Sequence, residues 1–119
     1  YQKFCNENKK KDKRLAYSIF IVHLMNEGII EKSIIVDIIK NELQKFHECI
    51  DREKCKDIIE EIINNVIVLT FKGYNSLKNT EEWDELFKEI IDISQMKSKN
   101  HVSLTNKTLF KLNDEIDTL

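Results

Sequence analysis

A chain of 119 residues is long enough for one compact domain and too short for two ordinary ones. Its 41% hydrophobic and 34% charged residues read as soluble and globular, and a formal net charge of −2 argues against non-specific nucleic-acid binding as the main task. No apolar run approaches the roughly 20 residues that span a bilayer, and the opening "YQKFCNENKKKDKR" lacks the apolar core of a signal peptide.

The start at Tyr1 instead of Met reads as a piece of a longer protein. Residues 1–11 read as a basic polar lead-in and residues 12–119 as a single helical domain. Three cysteines, Cys5, Cys49 and Cys55, are an odd number, which fits a reducing, intracellular setting better than a disulfide framework. His47, Cys49 and Cys55 match no standard zinc spacing and lack a fourth ligand, so no metal or other cofactor is expected and the cysteines read as small apolar fillers.

There is no proline, and the only glycines, Gly28 and Gly73, each follow an apolar periodic run where a helix commonly ends in a left-handed residue. The first predicted helix, from about Asp12 to Glu27, is apolar over most of its circumference, as an inner helix covered on several sides would be. The second, about Glu31 to Glu48, carries the stripe Ile35, Ile39, Leu43 and Phe46 with Ile34 and Ile38 alongside. Asp51 can cap the third, which presents Cys55, Ile58, Ile59, Ile62, Ile63, Val66 and Leu69. Its "VIVLTF" is rich in β-branched residues, but the unbroken 3.6-residue period from Ile59 onward overrides the strand propensity.

A fourth helix, "NTEEWDELFKEIIDIS", takes Thr80 as N-cap and buries Trp83, Leu86, Phe87, Ile90 and Ile91. A fifth follows the link "KSKNHV", with Ser103 as cap and a stripe of Leu109, Leu112, Ile116 and Leu119. About five amphipathic helices on short turns predict an all-α fold of stacked antiparallel pairs, with a closed bundle as the alternative packing.

Little suggests catalysis. His23 sits in an apolar helix with no nucleophile or orienting partner, and reads as a partly buried packing residue. His101 lies in a polar link and reads as solvated. No Gly-rich phosphate loop is present.

Two features stand apart. The run Lys9, Lys10, Lys11, Lys13 and Arg14 could meet RNA phosphates, or could be a flexible solvated link; it lacks interleaved aromatics for base stacking. Phe110 falls off the stripe of the last helix, in line with Asn106, Asn113 and Asp117. Burial against a neighbouring helix is the commoner fate of such an aromatic. The sharper alternative is an anchor for a protein partner, ringed by Asn106, Lys107, Lys111 and Asn113.

In order, "KKKDKRLAYSIFIVHLMNEGIIEKSIIVDII", "EEWDELFKEIID" and "SLTNKTLFKLNDEIDTL" resemble the C-terminal half of the middle domain of eukaryotic translation initiation factor 4 gamma. The likeness rests on helix order and a few apolar positions over roughly Lys9 to Leu119; "LAYSIFIVHL" departs from the family's usual entry. The resemblance implies a HEAT-type α-solenoid fragment, a monomeric, non-enzymatic scaffold for translation initiation that docks a DEAD-box RNA helicase and meets other initiation factors through its parent chain. Relatives in splicing, cap binding and mRNA surveillance share that stack and leave an RNA-processing adaptor open. Exposure, not a matched motif, selects Phe110, Lys107 and Lys111 as partner contacts, with Lys97 and Lys99 in the preceding turn. Lys9, Lys10, Lys11, Lys13 and Arg14 are the RNA-binding alternative.

Overall fold

The computed structural model describes the backbone of residues 2–119 and the side chains of residues 7–119. Tyr1 and the side chain of Cys5 lie outside the described residues. The helices are α1 (Gln2–Asn26), α2 (Lys32–Cys49), α3 (Lys56–Lys72), the single turn α4 (Tyr74–Leu77), α5 (Trp83–Ser94) and α6 (Asn106–Asp117), with a 3-10 turn at Ser98–Asn100. No strand occurs among the described residues, and "VIVLTF" is helical to Phe71. No helix among them is long and apolar enough to cross a membrane.

Side-chain bonds fix how the helices lie. Arg14 of α1 meets Glu61 of α3, Ser18 meets Asn65, and Asn26 meets the Lys72 carbonyl, at sequence separations of 47, 47 and 46. A constant separation means that α1 and α3 run parallel, and the intervening α2 runs antiparallel to both. α6 enters beside the start of α3 and packs along it, while α5 packs on α6 and reaches α2 through His47 and Glu89. The result is a stack of antiparallel pairs: α1, α3 and α6 form one layer, and α2 and α5 lie behind it.

α3 is the inner helix, correcting the expectation for α1. It buries Ile59, Ile62, Ile63, Val66 and Leu69 and touches α1, α2, α4 and α6. α1 buries one stripe, Ser18, Ile21, Val22 and Met25, and leaves Tyr17, Ile19 and Phe20 outside, so its apolar breadth exceeds what its neighbours cover. In α2 the predicted stripe Ile35, Ile39, Leu43 and Phe46 is buried; Val36 joins it, Ile38 is half-buried and Ile34 is exposed. Each such aliphatic or aromatic side chain contributes about 1.5–3 kcal/mol on burial.

The ends differ more from expectation than the middles. α1 starts near residue 2, because Lys, Glu, Gln and Asn carry a helix without an apolar stripe to announce it; the basic lead-in is helical wherever it is described. Gly28 has φ 76, and the Ile29 and Gly28 amides donate to the Leu24 and Met25 carbonyls, a left-handed close to α1. Gly73 is not left-handed, at φ −94. It is required for space, since a Cβ there would lie 2.6 Å from the Leu69 oxygen and 2.7 Å from Met25 Cε.

Cys55, not Asp51, precedes α3. Thr80 closes α4 by donating to the Leu77 carbonyl instead of capping α5. Thr105 replaces Ser103 as the cap of α6, its hydroxyl accepting from the Thr108 amide at 3.2 Å.

Candidate functional site

α6 positions the site. From the Thr105 cap its residues advance about 100° each, so Thr108, Leu109 and Leu112 turn inward against α3 and α5 with Ile116 half-buried. Phe110 then faces away from all of them. It is 69% exposed, which removes the core alternative. Leu119, expected on the stripe, is also exposed.

Lys107 and Lys111 flank Phe110 and both reach Glu60 of α3, at 3.4 and 3.0 Å from Nζ to Oε1. The hydrogen bond from Lys111, supported by Lys107, holds the Glu60 carboxyl below the usual carboxylate range. One carboxylate thus serves two ammonium groups, leaving one positive charge uncompensated beside the aromatic. Asn106 is exposed next to them, whereas Asn113 turns inward to donate to the Leu109 and Ser94 carbonyls. Asp114 and Asp117 are exposed towards the end of α6. The face therefore runs from basic to acidic around a protruding ring. It can grip an apolar socket and offers no nucleophile placed beside a base.

Lys97 and Lys99 are exposed on the link before α6, not on the helix with Phe110. That link is held firmly. Buried Ser103 donates its amide to the Ile50 carbonyl at 2.9 Å, and its hydroxyl donates to the Arg52 carbonyl and accepts from the Cys55 amide. His101 is half-buried with Nδ1 2.8 Å from Asp51, so it is a structural contact and not a solvated residue.

The basic run lies along α1. Lys9, Lys10 and Lys13 are exposed and Lys11 is half-buried, while Lys10 lies 3.7 Å from Glu7. Arg14 is already engaged: Nε and Nη2 grip the two Glu61 oxygens at 2.7 and 2.5 Å, and this bond raises the guanidinium pKa further. His23 is exposed, contrary to its expected packing role. His47 pairs with Glu89 at 2.8 Å, while Cys49 and Cys55 are half-buried. Among the described residues no group of three or more His, Cys, Asp or Glu could hold a metal ion.

Sequence reasoning missed a groove of about 800 Å³ where α1 and α2 diverge over the first half of α3. Its apolar lining comes from Ile21, Ile38, Ile58 and Ile62, with exposed Tyr17 at one lip. Beneath them the Ser18 hydroxyl donates to Asn65 Oδ1 at 2.9 Å, a buried polar pair. Glu42 also lines it, and burial pushes its carboxyl above the usual range. The available signal was the surplus of apolar residues on α1 beyond one stripe.

No protein-family model, curated protein or solved structure matches the chain.

Proposed function

We propose that this chain is a non-enzymatic scaffold module of the translation-initiation type that docks a DEAD-box RNA helicase in the cytoplasm through the outer face of α6. The observation that carries this reading is Phe110, 69% exposed on the side of α6 away from buried Thr108, Leu109 and Leu112 and flanked by Lys107 and Lys111. An aromatic so displayed costs solvation without aiding the fold, and aromatic anchors with a polar surround are the usual energetic centres of protein interfaces. Stacked antiparallel pairs also agree with the fold implied by the resemblance. A scaffold that holds both helicase lobes shifts the enzyme towards its closed arrangement by differential affinity. A module engaging one lobe binds weakly and stimulates little.

The test is capture of purified helicase by the immobilised chain. Phe110→Ala is expected to weaken binding by about 2 kcal/mol, roughly thirtyfold, with helicity and thermal midpoint unchanged. No capture at high concentration, or equal capture by the variant, ends the proposal. A second reading, RNA binding, is favoured only by the exposed Lys9, Lys10 and Lys13 on α1. It predicts retention of RNA that falls steeply with salt and is indifferent to Phe110.

A further inference from the structure

We propose that the groove between α1, α2 and α3 is a second docking site, whose occupant is an acidic amphipathic helix: an apolar stripe flanked on both sides by Asp or Glu. It is independent of the helicase reading, because it shares no residue with the α6 face.

The apolar part follows from what the groove leaves uncovered. Tyr17 and Ile58 are exposed at its edges, and Ile21, Ile38 and Ile62 continue the apolar surface inward. The polar groups at its base do not invite a polar ligand. Ser18 and Asn65 satisfy each other, and Asn65 Nδ2 donates to the Glu61 carbonyl at 3.1 Å. The walls are two helices diverging above a third, a trough that a further helix fills by ridge-into-groove packing.

The sign of the flanks comes from the depth at which each charge sits. On the α1 lip, Lys13 is exposed and the Arg14 side chain is 50% exposed, whereas its partner Glu61 is only 23% exposed. On the α2 lip, Lys45 is 62% exposed and Glu42 only 20%, the two 3.8 Å apart. The acids lie inside and the bases outside on both lips. A helix settling between them meets cations at both edges, while the recessed carboxylates already face Arg14 and Lys45. A helix with basic flanks would be repelled on either side.

The experiment uses the full 119-residue chain and two labelled synthetic helical peptides of about five turns, sharing one leucine stripe and flanked by Glu or by Lys. Fluorescence anisotropy is expected to show the Glu-flanked peptide binding at least about tenfold tighter, the sum of a few exposed charge pairs. The double variant Lys13→Glu/Lys45→Glu, both at exposed positions, is expected to reverse that preference. Ile58→Glu should abolish binding of both peptides without moving the thermal midpoint, whereas Phe110→Ala should leave both affinities unchanged. Equal affinity for the two peptides, no binding of either, or indifference to Ile58→Glu would overturn the proposal. So would concentration-dependent self-association abolished by Ile58→Glu, which would give the groove to a second copy. Displacement of the Glu-flanked peptide by oligouridylate would give the α1 lip to RNA and would overturn it equally.

Discussion

At Gly73 the absent side chain is the structural requirement. Gly73→Ala would set a methyl 2.6 Å from the Leu69 oxygen, 2.7 Å from Met25 Cε and 2.9 Å from Val22 Cγ2. The backbone oxygen cannot turn aside as the methionine can, so a loss of about 1–3 kcal/mol is expected on chemical denaturation. Glu42 presents the opposite case, a residue whose charge the fold tolerates at a cost. Burial raises its carboxyl pKa, so the folded chain holds the proton more tightly than the unfolded one. The cost of ionisation is absent below the ordinary carboxylate range and complete once pH exceeds the raised value. Glu42→Gln should therefore raise the thermal midpoint increasingly as pH rises above the ordinary carboxylate range, with the gain vanishing in acid. A pH series of melting curves on both proteins checks it. Phe110 was legible as an outlier because one residue against a 3.6 period suffices to show it. Its exposure was not, because whether another helix covers that side depends on residues far along the chain.

Among the elements, α2 and α5 could be read directly, since Ile35, Ile39, Leu43 and Phe46, or Trp83, Leu86 and Ile90, hold a helical spacing that only one face satisfies. α3 could be read despite its β-branched residues, because burial on several sides outweighs their weak preference for strands. Helix ends were harder. Ser103 and Thr105 are both chemically able caps, and the choice is made by the α2–α3 turn, which takes Ser103 for itself. Removing that hydroxyl tests the hold on α6. Ser103→Ala leaves the Cys55 amide and the Arg52 carbonyl short of a partner, and a loss of about 1–3 kcal/mol is expected by urea titration. The groove escaped sequence reading for the same reason as the caps: it belongs to three helices at once, and the periodicity of each concerns only itself.

Across the whole molecule, α3 is the shared wall of two helix layers, packed against α1, α2, α4 and α6. Its amides should exchange with deuterium only through global unfolding, while those before Asp12 in α1, with no buried side chain among those described, should exchange orders of magnitude faster. Mass spectrometry of deuterated fragments reads both, and uniform protection along α1 would contradict that ordering. The bonds from Arg14, Ser18 and Asn26 to α3 carry a further mechanical meaning. They succeed one another like rungs in matching register on the two helices, so α1 cannot slip one turn along its neighbour without breaking all of them together. A pull on the start of the chain is thus shared along the length of both rods and does not peel them apart one bond at a time.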